Sequence, residues 1–371
     1  MKFKSINFTC KNCGGSLLYT PKSNSLECPF CSTIEPIEKS NQPIKKYDFD
    51  YALRNIDIHK RQIEKRELKC IKCSAPFELD ANRFSSLCPY CETPVITELT
   101  QEIKPKSLIP FSITQKEAQK KFREWIGSLW FAPKGLKDFV DGHSKLTGYY
   151  LPYWGYDTNT TTQYHGQRGD IYYVTVQKRV IIDGREQIVN QREARINWTP
   201  VRGVVYDKFN NIIVEATTSL SHDILDNLAP WDTNKLVAFN NKYISGFNSE
   251  EYSITLDNGF NLAKTKIDRK IYQHIKRDIG GDQQRVEYKD TQYKDILYRH
   301  TLFPIWTAQF KWKNKTYNYA INAQTGKVVG DRPYSWLKIT LLVITILIIL
   351  GGFFWFAETH PQYFESIQTY S

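Results

Sequence analysis

No G-x-x-x-x-G-K-[ST] phosphate loop, H-E-x-x-H metal-hydrolase helix or G-x-S-x-G nucleophile elbow occurs anywhere in the 371 residues. Gly326-Lys327 comes nearest to a phosphate loop, but Val328 follows it and the pair fits a hairpin turn. The seven histidines, at positions 59, 143, 165, 222, 274, 300 and 360, are scattered. These absences argue against an enzyme. An N-terminal apolar leader is also lacking: Met1-Lys-Phe-Lys-Ser-Ile-Asn-Phe8 has no h-region, so no signal peptide is expected. No cysteine is left over either, because all eight fall into four Cys-x-x-Cys pairs, which points to metal ligation in a reducing compartment rather than a disulfide framework.

Those pairs form an internal repeat. Cys10, Cys13, Cys28 and Cys31 recur at one constant offset as Cys70, Cys73, Cys88 and Cys91, with fourteen residues between the two pairs of each unit. Two residues between cysteines let one tight knuckle present both sulfurs to one ion, and a hairpin brings the second knuckle across to complete a tetrahedron. Four thiolates leave no open coordination position, so two structural Zn2+ sites are expected, with iron or thiol redox chemistry as the alternatives. Rubredoxins, which bind iron, keep glycine after the second cysteine of each knuckle. Here only Cys13 is followed by glycine, while Ser32, Ser74 and Glu92 follow the others. Units this small cannot be stabilised by their own apolar core, so metal should supply much of their folding free energy.

The formal charge of +11 admits nucleic acid or an anionic lipid surface as a partner. Its distribution separates the two. Residues 8–35 carry Lys11 and Lys22 against Glu27 and Glu35; residues 68–95 carry Lys69, Lys72 and Arg83 against Glu78, Asp80 and Glu92. Both units are neutral before the metal, and a phosphate-binding surface needs clustered Lys and Arg. The positive charge lies instead in residues 104–137 and 311–338, which fits either a solvated face or a domain resting on an anionic inner leaflet.

Residues Ile339 to Ala357 contain no charge, and at 1.5 Å per residue they span roughly 28 Å, close to the thickness of a bilayer core. Trp336 precedes this run and Phe353-Phe-Trp-Phe356 closes it. Lysine and arginine before it outweigh those after it, which predicts a cytoplasmic N-terminal portion and a short tail outside, at residues 358–371. The fold class expected is α+β: zinc ribbons at 8–35 and 68–95, a connecting helix over 47–66 within the linker 36–67, a strand-rich cytoplasmic domain at 106–333 and a transmembrane helix at 337–357.

Within the large domain, Thr114-Gln-Lys-Glu117 makes a capping box ahead of Ala118, Phe122, Trp125, Ile126 and Leu129, and residues 259–279 carry a second apolar helical face closed by Gly280-Gly281. Strands are expected at 171–176 and 179–182, separated by Gln177-Lys178, with a turn at Asp183-Gly184 and a meander over 307–329. Leu151-Pro-Tyr-Trp154 and Phe303-Pro-Ile-Trp306 share a pattern that hints at two halves. The abundant aromatics fit the core of a β-rich fold or a groove for a peptide.

The paired ribbons, together with Ile109-Pro-Phe111, Tyr150-Leu-Pro-Tyr-Trp-Gly-Tyr-Asp157, Ala229-Pro-Trp231, Ser245-Gly-Phe-Asn-Ser-Glu-Glu-Tyr252, Gly281-Asp282, Phe303-Pro-Ile-Trp306 and Asn322-Ala-Gln-Thr-Gly-Lys327, resemble a family of bacterial membrane-anchored zinc-ribbon proteins. Its members carry labels such as TFIIB-type or rubredoxin-like zinc ribbon, primosomal protein N-prime (replication factor Y) or superfamily II helicase-like. The helicase label implies an ATP site that this sequence lacks. The resemblance also implies company with membrane-stress proteins of the phage-shock A and SPFH types. The expectation is therefore a non-enzymatic, membrane-anchored adaptor that recruits a protein partner. The alternatives are a membrane-tethered DNA-binding or replication-associated protein, then an enzyme using the β-rich domain.

Overall fold

The computed structural model describes residues 5–38, 40, 43–56, 65–80, 82–133, 135–136, 146–182 and 185–359. The chain opens with β1 (Ser5–Ile6), followed by the first four-cysteine unit, a small sheet of β2 (Leu18–Thr20), β3 (Ser25–Glu27) and β4 (Ile34–Pro36). Next come β5 (Tyr47–Asp48) and α1 (Phe49–Asn55), whose first turn is capped by Asp48. The helix within the linker is thus seven residues long, against an expectation that ran from 47 to 66. Chain direction changes at its C-cap Ile56, which is extended, and residues 57–64 lie outside the described set. The second unit holds β6 (Arg66–Lys69) and β7 (Pro76–Leu79) as one hairpin and β8 (Arg83–Leu87) and β9 (Pro94–Thr97) as another.

The remainder is β10 (Ser107–Leu108), α2 (Gln115–Ser128), β11 (Thr147–Ile182), β12 (Arg185–Glu215), α3 (His222–Asn227), β13 (Val237–Ala238), α4 (Asn241–Ile244), β14 (Asn248–Glu250), α5 (Leu256–Ile279), β15 (Gln283–Trp312), β16 (Lys315–Asn322), β17 (Val328–Gly330) and α6 (Trp336–Thr359). A twelve-stranded sheet has the path β1-β9-β8-β14-β11-β15-β10-β13, with β12 branching from β11, β5 and β16 from β15, and β17 from β16, so the second hairpin of the second four-cysteine unit is part of the main sheet. Three strands of 36, 31 and 30 residues dominate it. The expected break at Gln177-Lys178 does not exist: β11 continues through both, since β12 supplies hydrogen-bonded partners from Tyr153 to Ile182. Asp183-Gly184 lies outside the described residues.

Both helices follow from their patterns. In α2 the Thr114 hydroxyl accepts from the Glu117 N–H at 3.3 Å while the Glu117 carboxylate accepts from the Thr114 N–H at 2.9 Å, and Ala118, Phe122 and Ile126 form the buried stripe. In α5, Phe260, Ala263, Ile267, Ile271 and Ile275 are buried against the three long strands, and Gly280, at φ +64°, ends the helix where a left-handed residue is needed.

The large domain is built on a pseudo-two-fold axis. β11 and β15 are antiparallel with Leu151 opposite Phe303, the first residues of the two Pro-containing motifs. β10 runs parallel to β15 through Ser107 and Thr301, and β14 runs parallel to β11 through Asn248 and Tyr149. Equivalent hydrogen bonds repeat atom by atom. The Trp154 indole N–H donates to the Ile254 carbonyl at 2.9 Å and that of Trp306 to the Ile113 carbonyl at 2.8 Å; each acceptor directly precedes the N-cap threonine of the other half's helix. Ala216 N–H donates to Pro152 O and Ala323 N–H to Pro304 O, both at 3.0 Å. Ala216 O then accepts from Ser253 and Ile254, and Ala323 O from Ser112 and Ile113. Two strand-helix-strand-strand units, β10-α2-β11-β12 and β14-α5-β15-β16, have exchanged their first strands.

Candidate metal centres

Each four-cysteine unit brings its two knuckles together from opposite ends of a hairpin. All four knuckles share one backbone pattern: the first cysteine's carbonyl accepts from the N–H four residues on, and its own N–H donates to the carbonyl five residues on, with lengths from 2.7 to 3.0 Å. The residue after the second cysteine is left-handed in every case: Gly14 at φ +73°, Ser32 at +56°, Ser74 at +61° and Glu92 at +55°. The missing glycines therefore do not alter knuckle geometry, although a side chain in that region is disfavoured.

The eight sequence-predicted cysteines fall into two clusters, Cys10, Cys13, Cys28, Cys31 and Cys70, Cys73, Cys88, Cys91, and all sulfurs of a cluster lie within 4.8 Å of one another. Cys10 and Cys31 Sγ are 3.6 Å apart, Cys13 and Cys28 3.4 Å, Cys70 and Cys91 3.6 Å, and Cys73 and Cys88 3.8 Å. A tetrahedral ion with metal–sulfur bonds of about 2.3 Å sets its ligands about 3.8 Å apart, so the donor sets fit a metal. Both clusters can hold metal ions. In each, the first cysteine of both knuckles is buried and the second is more open, with Cys13 and Cys73 exposed.

Two residues that the sequence did not single out tune the clusters. Thr33 and Thr93, each two positions after the last cysteine, place hydroxyls 3.1 Å from Cys31 Sγ and 3.2 Å from Cys91 Sγ. With their backbone N–H groups they hold these two thiols down at about 6. Cys13 goes the other way, to about 12: the Gly15 N–H favours its thiolate, but Cys28 and Cys31 outweigh it by opposing another charge in the cluster. The shared Cys-x-Thr in both repeats was the available signal.

The histidines gather at no common site among the described residues. His222 contacts Glu215, His274 Nδ1 lies 2.9 Å from Asp207, His165 lies 3.6 Å from Glu287, and His300 is buried; His59, His143 and His360 fall outside the described residues. A cavity of about 510 Å³ opens where the second unit meets the sheet, lined by Arg83, Tyr149 and Glu250 among others. Burial raises Glu250 above the usual carboxylate range, opposed by hydrogen bonds from Ser219 at 2.6 Å and Thr217 at 3.0 Å.

The surface around the clusters is apolar at its tips. Phe30 and Tyr90, at equivalent positions in the two repeats, are 71% and 69% exposed, and Ile34 of the first unit and Ile71 of the second are exposed as well. The units are neighbours, since Lys72 Nζ of the second sits 5.2 Å from the Phe30 ring of the first. At the other end of the chain, α6 is long and apolar enough to cross a membrane and none of its most apolar window is buried. Its base is tied down: Ser335 N–H donates to Phe131 O at 2.7 Å, and Lys338 Nζ donates to Trp130 O and Ala132 O at 3.0 and 2.8 Å.

These features define a strand-rich α+β protein with two four-cysteine clusters and one candidate membrane-spanning helix near its C-terminus. The chain is 26% identical over 334 residues, 89% of its length, to "Uncharacterized protein YdjG" of Bacillus subtilis (strain 168), of which it covers 91%. No family model matches the chain, and no solved structure matches it.

Proposed function

We propose that the chain is a non-enzymatic, single-pass membrane adaptor whose two four-cysteine units are structural zinc ribbons that dock a protein partner at the cytoplasmic face. The observation that carries this reading is the pair of exposed aromatics, Phe30 and Tyr90, displayed at equivalent knuckle tips of adjacent units. Exposed aromatics are the residue types enriched in binding hot spots, and two linked contact points raise avidity. Zinc supplies a closed cross-link between the knuckles of each unit, and no ligand position is left for chemistry. Orientation follows the lysine and arginine excess before α6, and Trp130 and Trp336, both strongly exposed beside Lys338, fit an aromatic and basic seat on an anionic inner leaflet. Partners of the phage-shock A or SPFH type, in a membrane-stress response, are what the family resemblance suggests.

The test is co-purification with the full-length protein in detergent, comparing wild type with Phe30→Ser plus Tyr90→Ser and with Cys28→Ser plus Cys88→Ser. Loss of one defined partner in the aromatic variant, with two zinc equivalents retained, is the expected result. If every partner survives both double variants, the docking role is wrong. Salt-sensitive retention of DNA by the wild type in place of a protein would support a membrane-tethered DNA-binding protein instead.

A further inference from the structure

The long hairpin outruns everything that supports it. α5 ends at Ile279, and β15 begins at Gln283 opposite Gly169, the last β11 residue it pairs with. Beyond that point β11 and β12 continue as two strands alone, from Asp170 opposite Asn197 to Ile182 opposite Arg185. This arm starts roughly 65 Å, at about 3.3 Å per residue, along β11 from Tyr150, where β14 joins the second four-cysteine unit to the sheet. It exposes large apolar side chains, with Tyr173 67% and Ile188 64% exposed and Ile171 and Tyr172 also open to solvent. A two-stranded hairpin is marginal in water, and three strands are the usual minimum for stability. Among the described residues nothing pairs with the outer edge of β12, which presents a free ladder until Pro200, a residue without an N–H to donate.

We propose that the outer part of this edge, residues 185–193 of β12, pairs antiparallel with the same edge of a second copy of the chain, making the protein a dimer joined through its arms. The charge pattern selects the occupant. A two-fold axis perpendicular to a sheet requires one residue to face its own counterpart, which limits the registers. With the axis at Val189, Glu186 of one copy faces Arg192 of the other, twice by symmetry, and Gln187 faces Gln191. Glu193, which meets Arg195 on its own strand at 3.5 Å, then stands opposite position 185, an arginine in the sequence. No like charges meet. Moving the axis one residue, to Asn190, would set the arginines at 185 and 195 against each other. The free edge of β11 offers less, because its residues 170–182 carry one acidic side chain, Asp170, against Lys178 and Arg179.

The experiment places a benzoylphenylalanine photo-cross-linker at Val189, or at Val174 on the other edge, in full-length protein reconstituted in nanodiscs large enough for two copies. Cross-linked dimer from position 189 and none from 174 is expected. Arg192→Glu and Glu186→Arg should each weaken the dimer about tenfold, since each converts two attractive cross-strand pairs to repulsive ones, and combining them should restore it. That rescue separates arm pairing from association through α6 or through the four-cysteine units, neither of which would respond to the exchange. The proposal is overturned if position 189 captures no second copy or captures a different protein. It also fails if position 174 gives the dimer or if the double exchange is no better than either single change.

Discussion

His300 shows how one side chain makes the stability of the whole domain depend on pH. It lies beside the pseudo-two-fold axis, opposite Trp154 in the ladder, its ring 4.7 Å from the indole, and its Nδ1–H donates to the Ile103 carbonyl at 2.9 Å. Burial pushes its pKa down to about 4, because an imidazolium there would lose its water, and the hydrogen bond to the Ile103 carbonyl only partly opposes this. The unfolded chain takes up the proton near pH 6.5, before the native state does. The neutral ring's contribution is therefore complete above about 6.5 and is lost as pH falls toward 4, an effect of about 3 kcal/mol. Acid also protonates the thiolates of the candidate metal clusters, so the informative measurement is a difference. His300→Asn, which keeps a side-chain N–H donor but does not titrate, should flatten the slope of chemical-denaturation stability between pH 6.5 and 4 relative to wild type. Equal slopes in the two proteins would remove His300 as the cause. The sequence offered no hint of this residue, since its environment is assembled from segments about 200 positions apart.

At the scale of elements, the two long amphipathic helices α2 and α5 were legible, while the extent of the linker helix and the strand lengths were not. The Thr114 capping box and the apolar stripes from Ala118 and from Phe260 are local patterns, and local patterns survive folding. Strand ends are set by the neighbour. Gln177-Lys178 reads as a gap because both are polar, yet a strand exposed on both faces tolerates polar pairs as long as its partner continues. The cysteine clusters were legible for the same reason as the helices, because each knuckle is closed by its own backbone. The left-handed residues at Ser32, Ser74 and Glu92 were not, since glycine was the expected marker. The paired Pro-and-Trp motifs carried the duplication in two matched positions, and the repeated hydrogen bonds to Ile254 and Ile113 are tertiary. One glycine measures how tightly the halves are joined. A Cβ on Gly259 of α5 would fall 2.5 Å from Trp154 Cδ1 and 2.6 Å from the Tyr156 hydroxyl. Alanine normally stabilises a helix by about 1 kcal/mol over glycine. Here Gly259→Ala should instead destabilise by about 1 to 3 kcal/mol through overpacking, read from the denaturation midpoint. A stabilised variant would show that α5 and β11 are not in close contact at that turn.

Across the whole molecule, the second four-cysteine unit belongs to the body rather than hanging from it. β8 and β9 extend the main sheet, and one ion pair pins the start of the unit: Arg66 and Glu251 lie 3.1 Å apart with both side chains 2% exposed. Arg66 also donates to Thr97 and Thr100 hydroxyls, each at 2.9 Å, and Glu251 accepts from the Thr100 N–H at 2.6 Å. Satisfied in this way, the pair fixes where the unit sits, and its net worth over an apolar substitute is small. Breaking it is another matter. Arg66→Met leaves Glu251 buried without its guanidinium and should cost about 3 to 5 kcal/mol. Replacing both residues, Arg66→Met with Glu251→Leu, removes the stranded charge and should recover much of that loss, although Thr100 N–H stays unpaired. Thermal unfolding followed together with release of bound metal to a colorimetric chelator checks this: the single variant should give up one metal equivalent well before the second. If both equivalents leave together at the wild-type temperature, Arg66 does not hold the unit to the sheet. In the proposed adaptor, a unit tied to the sheet in this way would present Tyr90 to its partner from the body of the domain rather than from a flexible tether.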